Sequence, residues 1–516
     1  MYVGDYARSN PERPAIIMAN SGEVVSYRAF DQQTNQLAHF LRDNGLQRLD
    51  HYAIFMENNS DYLLCCGAGE RSGLYFTCVN SYLKPDELAY IINNSESKVL
   101  ITSLEKLAVA EHALKHCPAV SCCLVVGMRS SSGKYLSYEQ TLAGYPTTPI
   151  ADEYLGTPML YSSGTTGQPK GVLRPLDAVS PSQPLSLATF LTEIWLYRPD
   201  MVYLSPAPLY HSAPQMAVGL TIRQGGTCVI MERFDPQQYL SLIGKYGITH
   251  TQLVPTMFSR LLKLSEGLKK STDLSSLKVV MHAAAPCPVP VKQAMIDWWG
   301  PIIHEYYGAT EGLGFATLDS HEWLQNRGSV GKVVLGKLHI LDANGDANPA
   351  GKAGEIWFET ANPFSYFNNP EKTREAMSDD GAMSTVGDIG YLSNGYLYLT
   401  DRSSFMIISG GVNIYPQETE NLLIVHAKVC DAAVFGVPNE DLGEEVKAVV
   451  QVMPEFSEEA GLESELMAYC YQHLSRHKCP RSIDFVDQLP RLPTGKLYKK
   501  TLKDSYWIGH RSSSEP

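Results

Sequence analysis

The chain has 516 residues, of which 44% are hydrophobic and 19% are charged. This composition is typical of a globular protein, and the length predicts about two to four domains with a sizeable core. The 42 basic and 55 acidic side chains leave a net charge of -13, which argues against a nucleic acid or an anionic membrane as the main partner.

The first residues, MYVGDYARSNPERP, are polar and contain two prolines, so they lack the pattern of a signal peptide. No apolar run reaches the roughly 18 residues that a membrane-spanning helix requires. The 11 cysteines form no CxxC motif, and the adjacent pairs Cys65–Cys66 and Cys122–Cys123 are poorly placed for disulfides. We therefore expect reduced, mostly buried thiols in a cytoplasmic protein.

The N-terminal part of the chain alternates between helix-like and strand-like segments. Ser26 is expected to cap a helix through Leu41 that stops near Gly45, and a strand follows at Tyr52–Met56. The same order recurs in PDELAYIINN with KVLITS, and in PQQYLSLIGKYGITHTQLV. Such alternation predicts an α/β fold in which parallel-rich sheets are flanked by helices.

The pattern changes near the strand GYLYLTDR. It is followed by a glycine-bearing hairpin (ISGGVNIYP), a helix (PQETENLLIVH), two strands (DAAVFGV and EEVKAVVQVM) and a further helix (SELMAYCYQHL). This order indicates a separate α+β domain of about 115 residues. We predict a large N-terminal domain at residues 1–401 and a small C-terminal domain at residues 402–516.

The stretch YSSGTTGQPKGV, Tyr161 to Val172, combines glycines and hydroxyl side chains with a single lysine. A Walker loop requires GxxxxGK[ST] with a helix that starts at the lysine, whereas Pro169 and Gly171 on either side of Lys170 oppose a helix. The stretch is therefore a hydroxyl-rich turn with one cation. Its backbone N–H groups and hydroxyls can surround phosphate oxygens.

This stretch resembles the phosphate-loop signature of the adenylate-forming superfamily, which comprises acyl- and aryl-CoA synthetases, nonribosomal adenylation domains and firefly-type luciferases. Four more segments resemble family motifs in order and separation: HEYYGATEG, STVGDIGYL, DRSSFMIISGGVNIYPQETE and LPRLPTGKLYKK. The resemblance covers nearly the whole chain and is closest to bacterial acyl-CoA synthetases. It implies a large N-terminal domain that binds ATP and the acyl group, and a small mobile C-terminal domain that carries a catalytic lysine.

The resemblance implies a reaction in two steps. A carboxylate attacks the α-phosphate of magnesium-bound ATP, which gives an acyl-adenylate and pyrophosphate, and a thiolate then displaces AMP. Because two anions meet in the first step, cations and oriented donors are expected where charge accumulates. The implied cofactors are ATP, Mg²⁺ and coenzyme A.

The resemblance also assigns the nucleotide contacts. The residues expected at the β- and γ-phosphates are Ser162, Ser163, Gly164, Thr165, Thr166, Gly167 and Lys170. The residues expected around the adenine, with Tyr307 stacked on it, are Ala284, Ala285, Tyr306, Tyr307 and Gly308. Many relatives have glycines where this chain has Ala283–Ala285. Asp388 and Arg402 would hold the ribose, since one carboxylate can accept from both hydroxyls of a diol.

Three side chains are expected to act on the charge of the first step. Thr310 would contact the α-phosphate, and Glu311 would bind Mg²⁺, which prefers hard oxygen ligands. Lys496, in the segment PTGK, would span the attacking carboxylate and the α-phosphate, a role that suits a compact charge on a flexible stem.

The second step is expected to follow a rotation of the small domain that withdraws Lys496. The rotation would also bring up a glycine hairpin whose missing side chains leave room for the pantetheine arm, formed by Ser409, Gly410 and Gly411. The hinge departs from the family pattern, because Ser404 stands where most members carry Asp or Lys, and Phe405 stands where Asp or Glu is usual. We therefore expect the switch to depend more on packing of Phe405 than on charge pairing.

The acyl pocket is expected to draw on Ser205–Leu220 and on residues near MHAAAPC and GLGF. The candidates are Tyr210, His211, Met216, Gly219, Tyr306, Gly312 and Phe315. Amino-acid-activating relatives place an aspartate in the first of these stretches, and none occurs here. Because an unpaired ammonium is costly to bury, the lining predicts a hydrophobic acid, which is fatty, aryl or alicyclic. His211 resembles a residue between the acyl pocket and the thiol tunnel of CoA ligases, which makes it a catalytic candidate.

Several alternatives stay open at this point. The acceptor could be a carrier-protein thiol, although no carrier domain is fused to the chain; a luciferase-like oxygenase and a catalytically silent nucleotide-binding protein are less favoured. A nucleophile built from His282 and Cys287 is disfavoured, since activation requires hydrogen-bond geometry and an orienting third group. Relatives suggest a homodimer, and we expect no nucleic acid partner and no integral membrane segment.

Overall fold

The computed structural model describes residues 2–162, 168–359, 364–491 and 497–507, apart from the side chain of residue 187. The helices are α1 Val3–Ser9, α2 Tyr27–Asp43, α3 Ser60–Ser72, α4 Pro85–Asn94, α5 Leu107–Ala113, α6 Tyr138–Leu142, α7 Ser186–Ile194, α8 Ser212–Arg223, α9 Pro236–Tyr246, α10 Pro255–Leu262, α11 Glu266–Ser271, α12 Val289–Trp299, α13 Ser320–Gln325, α14 Pro370–Glu375, α15 Pro416–Ile424, α16 Leu462–His473 and α17 Lys499–Tyr506.

The strands follow the same chain order. They are β1 Pro14–Met18, β2 Val24–Ser26, β3 His51–Phe55, β4 Tyr75–Cys78, β5 Val99–Ser103, β6 Cys122–Val126, β7 Tyr135–Ser137, β8 Thr157–Pro158, β9 Leu160–Ser162, β10 Lys170–Leu173, β11 Val202–Ser205, β12 Thr227–Ile230, β13 His250–Leu253, β14 Val279–His282, β15 Ile303–Gly308, β16 Phe315–Leu318, β17 Lys332–Leu335, β18 Lys337–Leu341, β19 Gly354–Glu359, β20 Ser365–Tyr366, β21 Met383–Ser393, β22 Tyr396–Arg402, β23 Ile407–Ser409, β24 Val412–Ile414, β25 Val429–Asn439, β26 Gly443–Val452 and β27 Ser482–Val486.

The chain divides into two compact units. The first unit comprises Met1–Gln252, Leu264–Val280 and Pro363–Glu375, and the second comprises Leu253–Lys263, Met281–Asn362 and Ala376–Pro516. The two domains expected from the sequence are continuous stretches of chain, whereas each of these units consists of three separate segments. The domain boundary at residues 401 and 402 stays a prediction.

The first unit is built on parallel sheets with helices between the strands. One sheet has the strand order β7-β6-β5-β3-β4-β8, and every neighbouring pair in it is parallel. In a second group β13, β11, β12 and β1 pair in parallel, and β2 joins β1 antiparallel. The α/β fold predicted from the alternation of helix and strand is confirmed, because crossover helices return each strand to the same direction.

Local signals in the sequence place these elements. The Ser26 hydroxyl accepts a hydrogen bond from the Ala29 N–H at 3.2 Å and caps α2, as predicted. The helix α9 ends at Tyr246 and is capped by Gly247, whose φ of 61° lies in the left-handed region that glycine adopts without strain. The strand β13 follows three residues later, so the helix-then-strand order of this segment is also confirmed.

The second unit contains mostly antiparallel strands. The strands β15, β16 and β17 pair antiparallel, and so do those of the sheet β18-β19-β21-β22. The C-terminal sheet has the order β24-β23-β26-β25, and β27 runs parallel to β26. Buried side chains from α15, α16 and this sheet share one apolar core. The α+β character expected for the C-terminal region is therefore confirmed.

All 11 cysteines are described, and all are free thiols, as predicted. Cys287 and Cys430 are half-buried, and the others are buried. Across the described ranges, with their gaps at 163–167, 360–363 and 492–496, no helix combines the length and the apolar character that crossing a membrane requires.

The carboxyl of Asp61, in the first turn of α3, makes the stability of the fold depend on pH. Burial, with the nearby carboxylates of Glu23 and Glu139, raises the pKa of Asp61 from 3.8 to about 7. Because the folded protein then binds this proton more tightly than the unfolded chain, the group lowers stability as the pH rises from about 4 to about 7. Asp61→Asn is therefore expected to raise the free energy of unfolding by about 4 kcal/mol at pH ~8, and by less than about 1 kcal/mol at pH ~4.

Urea denaturation of the parent and of Asp61→Asn at both pH values measures this difference. Asp86→Asn is the matched control, since Asp86 is exposed in the first turn of α4. If Asp61→Asn raised the free energy of unfolding equally at the two pH values, protonation of the Asp61 carboxyl would not be the cause of the increase.

Candidate active site

The two tyrosines of the HEYYGATEG motif lie on β15, and their side chains have different partners. The Tyr306 ring is buried and stacks on Phe315, with ring centroids 5.2 Å apart and planes 19° apart. Successive side chains of a strand point to opposite faces, so Tyr307 points away from this stack. Its hydroxyl donates to Asp388 Oδ2 at 2.8 Å. Burial, followed by the charge of that carboxylate, raises the pKa of Tyr307 well above its ordinary value.

Asp388 and Arg402 face each other across two neighbouring strands. They are register partners on β21 and β22, and Arg402 Nε lies 2.9 Å from Asp388 Oδ1. Burial opposes the charge of Arg402, yet Asp388, Tyr307 and Glu311 together raise the pKa of its guanidinium. Tyr307, Asp388 and Arg402 thus form a continuous polar chain, which brings together three residues that the sequence assigned to adenine and ribose.

The turn between β15 and β16 carries Thr310 and Glu311. Glu311 is buried, and its charge acts on both Arg402 and Tyr307. Gly312 follows with a φ of 73°, and its N–H donates to the Ala309 carbonyl at 2.9 Å. This tight turn at Ala309–Gly312 holds Glu311 near enough to Tyr307 and Arg402 for its charge to act on both.

The backbone at Ala284 shows why glycine suits this stretch in many relatives. Its φ of 75° lies in the left-handed region, which costs an alanine about 1 kcal/mol relative to glycine. The neighbouring Ala285 is half-buried, whereas Ala284 is exposed. A glycine, which many relatives have in this stretch, would adopt this turn without strain.

A buried charge cluster lies beneath β15, and the sequence analysis missed it. Lys292, on α12, is fully buried, and its Nζ lies 2.6 Å from Glu305 Oε2 on β15. His282 Nε2 is 3.5 Å from the same oxygen, and burial followed by the charge of Lys292 lowers the pKa of His282 well below its ordinary value. Burial also raises the pKa of Cys287, which lowers its reactivity as a nucleophile.

The position of Lys292 within α12 could have revealed this buried ion pair from the sequence. The buried side chains of α12 form one stripe at helical spacing, namely Val291, Lys292, Met295, Ile296 and Trp299. A lysine inside an apolar stripe predicts a buried acidic partner, because unpaired ammonium groups are not kept in cores.

In the first unit, the predicted phosphate loop connects two paired strands. Ser162 on β9 and Lys170 on β10 are register partners, and Lys170 Nζ lies 4.4 Å from the centre of the Tyr366 ring. Lys170 therefore begins a strand and not a helix, which agrees with the rejection of a Walker loop. Ser163, Gly164, Thr165, Thr166 and Gly167, together with Lys496, lie outside the described residues.

The predicted acyl stretch of the first unit surrounds the start of α8. His211 occupies the N-cap position of this helix, and its ring lies 4.3 Å from that of the buried Tyr210. A side chain added at Gly219 would meet no described atom within 4 Å, so this face of α8 borders open space. Met216 lies one turn earlier on the same helix and is half-buried.

The predicted pantetheine hairpin is a two-residue turn between β23 and β24. Ser409 pairs with Val412, and Gly410 and Gly411 have φ values of 56° and 79°. Two successive positive φ angles are typical of a type I′ hairpin turn, for which glycine is favoured. A side chain added at Gly410 would come within 3.2 Å of Leu442, whereas one added at Gly411 would meet no described atom within 4 Å.

Comparison with known proteins identifies the family. The model of the AMP-binding enzyme family matches residues 4–366, and that of the AMP-binding enzyme C-terminal domain matches residues 418–496. A feruloyl-CoA synthase of an Amycolatopsis species is 31% identical over 500 residues, which cover 96% of each chain. A long-chain-fatty-acid–CoA ligase of Mycobacterium tuberculosis is 28% identical over 518 residues, which cover 97% of each chain.

A solved structure gives the same result for the fold. The anthranilate CoA ligase in complex with anthranoyl-AMP has a TM-score of 0.84 and 25% sequence identity, and the match covers 99% of this chain and 98% of that one. The two family matches and the α/β fold define the class as an adenylate-forming enzyme. The chain belongs to the AMP-binding enzyme family, and within it to the AMP-forming acyl-CoA synthetases.

Proposed function

We propose that this enzyme joins a hydrophobic carboxylic acid to coenzyme A at the expense of ATP. The acid is first activated as an acyl-adenylate with release of pyrophosphate, and the thiol of coenzyme A then takes the acyl group with release of AMP. The observation that carries this proposal is the linked set of side chains Tyr307, Asp388 and Arg402. It offers a ring for a base and a carboxylate for a ribose diol, beside a buried acidic residue.

The nucleotide is proposed to replace contacts that the side chains now make with one another. Asp388 uses one oxygen for the Tyr307 hydroxyl and the other for Arg402. A ribose diol would take up the first of these oxygens, and the released Tyr307 ring would then lie against the adenine. Arg402 would keep the other oxygen of the carboxylate oriented in either arrangement, through its contact at 2.9 Å.

The electrostatic part of the first step is proposed to depend on residues of three motifs, namely YSSGTTGQPKGV, HEYYGATEG and LPRLPTGKLYKK. Thr310 would donate to the α-phosphate, and Lys170 with the hydroxyl-rich loop would hold the β- and γ-phosphates. Glu311 fits Mg²⁺, because it is a buried carboxylate next to Thr310 and offers hard oxygen donors. When bound, that ion neutralises charge on the phosphates. Lys496 would place its ammonium between the acid and the α-phosphate.

The acyl group is proposed to lie along α8. Tyr210 is buried beside the His211 ring, and the open space at Gly219 leaves room for an apolar chain or ring. A tightly packed tyrosine and a half-buried methionine suit a hydrophobic acid, since they offer contact area without charge. The names of the two relatives, a feruloyl-CoA synthase and a long-chain-fatty-acid–CoA ligase, are consistent with aryl or fatty substrates.

A panel of acids tests this proposal. We expect AMP release that depends on ATP, Mg²⁺, coenzyme A and at least one member of a panel of fatty, aryl and alicyclic acids, and no release with free amino acids. Replacing coenzyme A with a phosphopantetheinylated carrier protein separates the two acceptors. Preference for the carrier would support the alternative of a stand-alone loading enzyme, and nucleotide binding without any acid-dependent pyrophosphate exchange would support a catalytically silent protein.

A further inference from the structure

The C-terminal helix begins with a buried lysine that contacts the predicted hinge. Lys499 is the first residue of α17 and is only 6% exposed. Its Nζ lies 2.7 Å from Glu420 Oε1 on α15, and 5.1 Å from the centre of the Phe405 ring. One cation therefore joins the C-terminal helix, α15 and the segment at which the small domain is predicted to turn.

Glu420 ties this lysine to the core of the C-terminal sheet. Its side chain is buried, and Oε1 also accepts a hydrogen bond from the Val434 N–H on β25 at 2.6 Å. A buried carboxylate and a buried ammonium are costly to separate, because either one alone would be an unpaired charge in the core. Lys499 is thus fixed relative to β25 and cannot follow a movement of the hinge.

Phe405 is, with Ser404, one of two hinge residues that depart from the family pattern, and it stands where Asp or Glu is usual. A carboxylate at this position would attract Lys499 by charge, whereas Phe405 presents an aromatic ring to the same ammonium. Cations are attracted to aromatic faces, most strongly when both groups are removed from water. In the turn Ser403–Phe405, both serines are exposed and only Phe405 is half-buried. Phe405 is therefore the residue of this turn with the most buried side chain.

We propose that Lys499 is a positioning residue that holds Phe405 on the C-terminal domain, so that rotation between the two half-reactions is confined to Ser403 and Ser404. The inference rests on the proposed function, since it requires an enzyme that alternates between adenylation and thioester formation. Asp401, on the other side of these serines, accepts a hydrogen bond from the Gln417 N–H at 3.0 Å. A turn at Ser403 and Ser404 would disrupt this hydrogen bond and the one from the Met406 N–H to the Ser403 carbonyl, and it would leave the Lys499 contacts intact.

A matched pair of substitutions at Phe405 tests the contact between its ring and the Lys499 ammonium. Phe405→Leu keeps an apolar side chain but removes the ring, whereas Phe405→Tyr keeps the ring. We expect Phe405→Leu to slow thioester formation from a preformed acyl-adenylate roughly tenfold, the scale of one such contact, and to change adenylate formation less than about twofold. The two steps differ because Lys496 and its anionic substrates also hold the small domain during adenylation. Phe405→Tyr is expected to match the parent in both steps.

A double-mutant cycle assigns the effect to Lys499. Lys499→Met is expected to slow thioester formation as Phe405→Leu does, and the double variant should be no slower than either single one. Urea midpoints of Phe405→Leu and Phe405→Tyr serve as the folding control. If Lys499→Met does not fold, the thioester rates of these two Phe405 variants still test the contact. Equal thioester rates for the two Phe405 variants, or additive effects in the cycle, would overturn the inference.

The parent enzyme separates failure of this inference from failure of the proposed function. A parent that forms no adenylate with any acid of the panel would reject the proposed function itself. A parent that completes both half-reactions, alongside a Phe405→Leu variant that does so at the same rates, would reject only the role of Lys499.

Discussion

Replacing Lys496 with alanine is expected to slow acyl-adenylate formation by at least about 100-fold, the scale of one donor that stabilises developing charge. The attacking carboxylate and the α-phosphate are both anionic, so without the ammonium they would meet with their repulsion uncompensated. A lysine can reach both groups because its charge is compact and its stem is flexible. Acid-dependent exchange of labelled pyrophosphate into ATP measures this step alone, using any acid that the parent accepts.

The same variant should retain most of the second half-reaction. Since the expected rotation would withdraw Lys496 before the thiol attacks, Lys496→Ala supplied with a synthetic acyl-adenylate is expected to form the thioester within a few-fold of the parent rate. Lys500→Ala is the control, because it removes a half-buried lysine from the first turn of α17, four residues further along the chain. Adenylate formation by Lys496→Ala at the parent rate would contradict the proposed role of Lys496 in the first step.

Local signals account for the parts of the fold that the sequence predicted. The Ser26 cap, the helix-then-strand order around α9 and the glycine turn at Gly410 and Gly411 each depend on residues a few positions apart. A short stretch of sequence is therefore enough to predict each of these features. The parallel pairing of the sheets followed indirectly, since helices between strands require crossover connections.

The contacts that build the site are not local, so the sequence alone could not supply them. Tyr307 and Asp388 are 81 positions apart, and only the fold places the hydroxyl of one on the carboxylate of the other. Family motifs named both residues without predicting that they bond to each other. The sequence did not predict the burial of Lys292 and Lys499 for a related reason. Lysines are mostly exposed, and burial of these two depends on acidic partners on other elements.

Lys292→Met is expected to lower the free energy of unfolding by about 3 to 5 kcal/mol, the cost of breaking a buried ion pair. The substitution leaves the Glu305 carboxylate in the core without its cation at 2.6 Å, next to a neutral His282. Urea denaturation measures the loss. Because Glu305 lies two residues before Tyr307 on β15, we also expect weaker ATP binding, which equilibrium titration with the nucleotide detects.

The pH dependence of this loss distinguishes an unpaired charge from a packing defect. Burial already raises the pKa of Glu305, and removing Lys292 takes away the charge that opposes this shift. The folded variant would then bind a proton more tightly than its unfolded chain does, so its deficit should shrink as the pH falls from about 8 to about 5. A deficit that stays constant over this range would contradict the electrostatic explanation.

Two further variants complete the comparison. Lys332→Met breaks a largely exposed pair with Glu322, at 3.3 Å, and should cost less than about 1 kcal/mol. Lys292→Met combined with Glu305→Leu removes both buried charges, and it should recover most of the stability that the single variant loses, since apolar residues can replace a buried pair. If this double variant recovers stability but not nucleotide affinity, then the pair is retained because it holds β15, and with it Tyr307, in the orientation that Asp388 requires.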